Sequence, residues 1–552
     1  MPIDDLWYKN AVIYCLPIEK YMDANGDGVG DFEGLSRRLD YLHGLGVTCV
    51  WLQPFYGSPD KDNGYDVSDY YGVNPKFGSA GDFVELMNHA AALGMRVIVD
   101  LVVNHTSNQH PWFQAARRDR ASPFRSWYVW SDTRPDDHAS GIVFPGVQKT
   151  TWTKDEEAGQ YYFHRFYEFQ PDLETHNPEV RDEIKKVMGY WLQLGVAGFR
   201  MDAVPFFIER KGANVPHEQD FELLHEMRVF LQWRSRAAVM LAEANVPPGE
   251  SIEYFGDQAD RIQMMLNFPV NQRLFYALAS GDVGPLAWAL EATKGKSYRA
   301  QWVQFLRSHD ELDLGRLGEK ERQAVFAAFG PEPRMQLYNR GIRRRLAPML
   351  GNDRRRLELA FSLLFSLPGT PMMQYGDEIA MGDDLRLPER ECARTAMQWT
   401  SDQYGGFSGS ARVVTPIVSD REYGYESVNV AQQRRDPNSL LNWMERMIRL
   451  RRECPEIGWG DYAILRTNVA ETLVMKYTFR NTALVTIHNF SDREQRLQLE
   501  VREPRGERLV DIFSEEHSDA DNTGRHDLTL KPYGWRWYRV GAADTTLERT
   551  AF

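Results

Sequence analysis

Eight short, nearly continuous apolar runs are spaced along the chain with helix-length segments between them, and this alternation limits the fold more than any other feature. Runs that are apolar on successive residues, rather than on every second one, suit parallel strands covered on both faces. They are residues 11–18 (AVIYCLPI), 48–54 (TCVWLQP), 96–105 (RVIVDLVVNH), 198–204 (GFRMDAV), 239–245 (VMLAEAN), 264–270 (MMLNFPV), 302–311 (WVQFLRSHDE) and 369–378 (GTPMMQYGDE). Eight strands alternating with helices predict an α/β fold, a (β/α)8 TIM barrel. The connecting segments LSRRLDYLHGLG and EIKKVMGYWLQLG repeat apolar residues at helical spacing and end on glycine.

Two connections are too long for simple barrel loops. The barrel is therefore assigned residues 1–105 and 175–455, with an excursion domain after the third strand over residues 106–174, where QYYFHRFY reads as strand. An Arg-rich insertion covers residues 312–356. Beyond residue 456 the runs TLVMKYTF, TALVTIHNF, EQRLQLEV and YGWRWYRV, separated by charged turns, predict a C-terminal antiparallel β-sandwich over residues 456–545. The tail AADTTLERTAF is expected to fray.

A chain of 552 residues exceeds one ordinary core, and its formal net charge of −13 argues against a nucleic-acid partner. Cys15, Cys49, Cys392 and Cys454 are scattered without metal-like pairing, so they are expected to be buried packing residues in a reducing compartment. The opening MPIDDLWYKN has no basic-then-apolar leader, and no stretch reaches the roughly 18 apolar residues of a membrane span. The expectation is a cytoplasmic protein with no membrane partner, as a monomer or a homo-oligomer.

Reactive groups of a barrel lie at the C-terminal ends of its strands. Those ends carry Asn104 and His105, Arg200 and Asp202, Glu243, and His309 and Asp310. Arg200 and Asp202 are two apart, so an extended strand points both the same way, and the guanidinium can keep the carboxylate ionised for nucleophilic attack. Glu243 lies among Leu241, Ala242 and Ala244, an apolar setting that raises a carboxyl pKa and suits a general acid. Asp310 is the third carboxylate, placed to bind hydroxyls and stabilise positive charge. Structural ion pairing or helix capping explains any one of these residues, but less readily all of them together. The loop DANGDGVGDFEG sets Asp23, Asn25, Asp27 and Asp31 between glycines, a donor pattern suited to a hard cation such as Ca2+ or to a solvated turn. A helix-loop-helix calcium hand is ruled out, because its twelfth position is Gly34.

The blocks DLVVNH, GFRMDAV, LAEAN and SHDE resemble the four signature regions of the α-amylase superfamily, over nearly the whole chain. The resemblance implies Asp202 as nucleophile, Glu243 as acid/base and Asp310 as transition-state stabiliser. It also implies a structural Ca2+ on Asp23, Asn25, Asp27 and Asp31 with the Val29 carbonyl, as in the oligo-1,6-glucosidase and trehalose synthase branch. The same branch implies Asp62 and Tyr65 of DNGYDVSDY, with His105, Arg200, His309 and Arg394, as ligands of a non-reducing terminal glucose.

Within the superfamily, GIRRRLAPMLGNDRRRLELAFSLLFSLPGTP, YGDEIAMGDD, FYEFQPDLE and DAVPFF most resemble the trehalose synthases. That likeness implies isomerisation of maltose to trehalose, with no organic cofactor and a disaccharide as the small-molecule partner. It also implies a second Ca2+ on Asn104, Asp172 and Glu209 with the carbonyls of Phe206 and Phe207. An α-glucosidase or transglucosylase shares the same carboxylates. A non-catalytic transporter-associated heavy chain would have lost them. The chain departs from the family pattern at QPDLE, RTAMQW and CLPIEKYMDANG, and the likeness would put Glu174 and Ala396 near the substrate entrance.

Overall fold

The computed structural model describes residues 6–216, 218–503, 507–514 and 516–541. The tail AADTTLERTAF and the last residues of the span 456–545 lie outside the described residues, as do the first five residues of MPIDDLWYKN.

All eight apolar runs form the barrel. Its strands are β1 (Ile13–Leu16), β2 (Cys49–Leu52), β3 (Arg96–Leu101), β4 (Gly198–Met201), β5 (Val239–Ala242), β6 (Met264–Leu266), β7 (Gln301–Phe305) and β8 (Thr370–Gln374). Each pairs in parallel with its neighbours in chain order, and β8 closes on β1 through Ile13–Met372 and Cys15–Gln374. The strands are shorter than the runs that announced them, because the polar ends of those runs leave the ladder and become the catalytic-face loops. Side chains alternate between two cores, as the two-residue period of a strand requires. Ile13 and Cys15, with Trp51, Ile98, Leu241 and Met372, fill the barrel interior, whereas Tyr14, Leu16, Val50 and Leu52 pack outward against the helices.

The segment read as one helix over LSRRLDYLHGLG is two, Phe32–Ser36 and Leu39–Leu45, and the second ends on Gly46 with φ of 98°, a left-handed position that favours glycine. The Pro178–Gln193 helix starts on an Asn177 cap that accepts from Glu179 N–H, with Pro178 in its first turn.

The excursion contains a three-stranded sheet of Trp130–Ser131, Gln160–Phe163 and Trp152–Asp155, and the Pro111–Arg118 helix. The insertion carries the Glu319–Phe329 helix and a small sheet of Leu312–Asp313, Gly341–Ile342 and Gln336–Leu337. After the barrel, a six-stranded sheet that includes Thr472–Phe479, Thr482–Asn489 and Trp535–Val540 stands with a two-stranded ribbon of Gln495–Glu500 and Arg525–Leu530. Val474, Val485, Leu497, Leu499 and Leu528 pack between them. All four cysteines are free and buried. Among the described residues no helix is long and apolar enough to cross a membrane.

Candidate active site

A cavity of about 530 Å³ opens at the C-terminal ends of the strands, within the range that holds a small sugar. Register brings its charged floor together: Asp100 of β3 and Leu241 of β5 both lie beside Arg200 of β4. Arg200, 1% exposed, is shared among three carboxylates. Its Nη1 donates to Asp100 Oδ1 at 2.6 Å and Asp202 Oδ1 at 2.5 Å, and its Nη2 donates to Glu243 Oε2 at 2.5 Å. Two residues 41 positions apart therefore face one another across a single guanidinium. Ala203, directly after Asp202, has φ of 49° and points its N–H at Glu243 Oε2, 3.2 Å away. A left-handed alanine is costly, and such backbone strain collects at functional sites.

Burial pushes Glu243 up to about 7; Arg200 opposes this, and the charges of Asp202 and Asp310 add to it. The apolar setting read from the sequence thus acts in the expected direction. Asp202 behaves differently from that reading. Burial raises it to about 6 despite Arg200, and the charges of Asp100 and Asp310 add to the rise. At Asp310 burial would raise the pKa, but His309, Arg390, Arg394 and Arg200 outweigh it and hold the carboxyl below its usual range.

The other sugar-ligand candidates reach the same cavity, with one exception. Tyr65 and His309 stack with ring centres 5.5 Å apart, and the Tyr65 hydroxyl lies 2.8 Å from His309 Nε2. His105 Nε2 lies 3.1 Å from the Tyr65 carbonyl. Asp62 accepts from Gln170 Nε2 at 2.9 Å. Arg394 is the exception: it donates to the His309 carbonyl at 2.8 Å and to Asp310 at 3.3 Å from behind, and does not line the cavity. Of the two, Arg390 lines the cavity, with its Nη1 2.6 Å from Asp310 Oδ1 and its Nη2 3.3 Å from Asp62 Oδ1. The two arginines are four residues apart in PERECARTAMQW, and their spacing alone does not say which faces inward. Sequence reasoning also missed Asp100, although it lies inside the quoted DLVVNH block, and Glu311, which burial raises to about 7. Glu174 and Ala396 do not line the cavity. Ala396 is fully buried, and Glu174 caps His176 N–H at 3.1 Å.

The excursion and the insertion meet over the cavity. Phe144 packs on Tyr167 and Tyr338, each 4.9 Å away between ring centres, and Arg340 Nη1 donates to the Val143 carbonyl at 2.8 Å.

The two calcium assignments fare differently. In the Asp23–Asp31 loop, Asp23 accepts from Gly26 and Gly28 N–H, Asn25 from Asp27 N–H, Asp27 from Val29 N–H, and Asp31 from Ala24, Asn25 and Gly34 N–H. Among the described residues no three His, Cys, Asp or Glu side chains converge as a metal cluster. Asp23 Oδ2, which accepts from Gly28 N–H and the Ser408 hydroxyl, and Asp31 Oδ2, which accepts from Ala24 and Asn25 N–H, are filled, but Asp23 Oδ1, Asn25 Oδ1, Asp27 Oδ1 and Asp31 Oδ1 each accept once and keep a second lone pair that fits a hard cation. The second set does not fit one. Lys211 Nζ stands between Asp172 Oδ2 (3.0 Å) and Asn104 Oδ1 (2.8 Å), Arg165 takes Glu209 at 2.8 Å, and the Phe207 carbonyl accepts from Thr175 at 2.5 Å. Of the residues to which the family likeness gives a metal (Asn104, Asp172, Glu209, Phe206 and Phe207), the side chains of Asn104, Asp172 and Glu209 and the Phe207 carbonyl are thus already partnered within the chain.

A family model for the alpha amylase catalytic domain matches residues 14–330 and 334–460, and one for the sucrose hydrolase-like C-terminal domain matches residues 482–539. A trehalose synthase of Pimelobacter is 39% identical, over 98% of this chain and 97% of that protein. A trehalose synthase of Thermus thermophilus is 42% identical over 99% of this chain, which spans 57% of that protein's length. A trehalulose synthase crystal structure superposes with a TM-score of 0.76 at 26% identity, over 97% of this chain and all of that one. On the barrel, the converging carboxylates and these matches together, the chain belongs to the α-amylase catalytic-domain family.

Proposed function

We propose that the chain is a retaining α-glucosyl-transferring enzyme that isomerises maltose to trehalose, with some hydrolysis to glucose. The observation that carries the bond-breaking part is the pair Asp202 and Glu243 held by one arginine at the cavity floor. Retaining glycosidases need a nucleophilic carboxylate and a nearby carboxyl that starts protonated. In this reading Glu243, in its protonated form, donates its proton to the glycosidic oxygen while Asp202 attacks C1, giving a β-glucosyl-enzyme and free glucose. The Glu243 carboxylate then takes the proton of an incoming hydroxyl, which displaces Asp202 and restores the α configuration. Asp310, kept ionised, stabilises positive charge at the anomeric carbon.

Asp62 with Arg390, Tyr65, His105 and His309 would bind the glucose that becomes covalently attached. The stacked Tyr65 and His309 rings offer it a flat aromatic surface beside the charged Asp62 and Arg390.

The acceptor decides the product. If the freed glucose turns and attacks through its anomeric hydroxyl, trehalose forms; if water arrives first, two glucoses form. Support for the first outcome comes from the trehalose synthases aligned over the full chain and from the Phe144–Tyr338 contact over the cavity, which would retain glucose. A 28% identical oligo-1,6-glucosidase keeps the hydrolytic alternative in view. Chromatographic sugar analysis after incubation with maltose separates them: trehalose is expected, and glucose alone would refute isomerisation. The Asp23–Asp31 loop is assigned a structural Ca2+ on its donor chemistry, tying a loop rather than activating water.

A further inference from the structure

The second calcium set raises its own question, because the residues that the family likeness reserves for a metal are already neutralised. Lys211 is 1% exposed at its side chain and Asp172 is 0% exposed. Four oxygens from two loops surround the Lys211 Nζ: Asp172 Oδ2 at 3.0 Å, Asn104 Oδ1 at 2.8 Å, Asn104 O at 3.1 Å and Leu173 O at 3.0 Å. An ammonium has three N–H groups, so this shell saturates it.

The charges balance as well. Lys211 answers Asp172, and Arg165 answers Glu209 at 2.8 Å. The remaining oxygen of Asp172 accepts from Arg165 N–H at 2.8 Å, and Asn104 Nδ2 also donates to Oδ2 at 3.1 Å. A calcium ion needs six to eight oxygens at 2.3–2.6 Å. Here it would have to expel Lys211 into an apolar interior or leave two positive charges unmatched, and either is costly.

We infer that Lys211 is a built-in cation that replaces a divalent metal at the junction of the β3 loop, the excursion domain and the loop after β4, and closes that junction to metals. The substitution fastens the same three segments without a dissociable ion. Asn104 precedes His105 and lies 3.3 Å from its ring, so the cavity wall at His105 rests on a covalent part of the chain rather than on metal supply.

Elemental analysis and thermal melts of the full-length chain, stripped with a chelator and then re-equilibrated with CaCl2, test this. Asp27 is exposed on the first loop, so Asp27→Ala removes one charged donor from that site, enough to weaken it sharply, without touching the junction. The Asp27→Ala chain is expected to bind no calcium and to melt at the same temperature in chelator and in calcium. A calcium equivalent that persists in Asp27→Ala and disappears when Asp172→Asn is added would overturn the inference. Lys211→Met keeps the length of the side chain but not its charge. Added to Asp27→Ala, it is expected to lower the melting temperature by the same amount in chelator and in calcium, and a melting temperature matching Asp27→Ala would also overturn the assignment. The readouts are independent of product identity, so the glycosyl-transfer reading and this one fail separately.

Discussion

Glu243 Oε2 lies 2.5 Å from Arg200 Nη2, on the guanidinium whose other nitrogen holds Asp202, so the proposed nucleophile and acid are set by one side chain. With Asp202 pushed up to about 6 and Glu243 to about 7, the reactive form has the first ionised and the second protonated. Activity is lost as pH falls through about 6, where Asp202 takes a proton, and as pH rises through about 7, where Glu243 loses one. A kcat/KM profile for maltose should be a narrow bell between those limits. A rate that stays level up to pH ~9 would contradict the role of Glu243, because a group shifted as described is then deprotonated.

Removing the nucleophile should separate binding from turnover. Asp202→Asn is expected to lower kcat by at least ~10⁴-fold, the scale seen when a member of a concerted catalytic set is lost. Maltose binding, read by calorimetry, should persist. Undiminished turnover would remove Asp202 from its role.

Arg390, rather than Arg394, is the arginine that bridges Asp62 and Asp310 at the cavity. Truncating one partner of a buried, hydrogen-bonded charge pair at a binding surface costs about 2–5 kcal/mol of binding. Arg390→Ala should therefore reduce kcat/KM by ~10²-fold, since 1.4 kcal/mol is tenfold. An Arg390→Ala enzyme with parental kcat/KM would show that the bridge does not serve the sugar.

The contact between the excursion and the insertion should govern partition between acceptors. An aromatic pair is worth about 1 kcal/mol beyond its buried area, so losing the Phe144 ring should shift the trehalose-to-glucose ratio roughly fivefold towards glucose. Product ratios of Phe144→Ala at matched conversion measure this, and an unchanged ratio would sever the contact from glucose retention.

Much of this was legible in the residues, and the exceptions have physical reasons. All eight strands were readable because parallel strands buried on both faces leave unbroken apolar runs, and the strand-end carboxylates follow from the fold. Their ionisation was less readable. Arg200 next to Asp202 suggested a private ion pair, but Asp100 and Glu243 reach the same guanidinium only through barrel closure. Arg390 lies in the short 3₁₀ helix Glu389–Ala393 and Arg394 caps its end, an element too short for its apolar spacing to tell inward from outward. Lys211 lies two residues after Glu209 and reads as a solvated lysine until Asn104 and Asp172 fold around it.

The most direct test follows the fate of the freed sugar. Maltose should be incubated with the enzyme in the presence of excess ¹³C-labelled glucose, and the trehalose isolated for mass analysis. Retention of the leaving glucose predicts trehalose that forms readily and is essentially unlabelled. Trehalose labelled in one ring in proportion to the added glucose, or glucose with no trehalose, would contradict it.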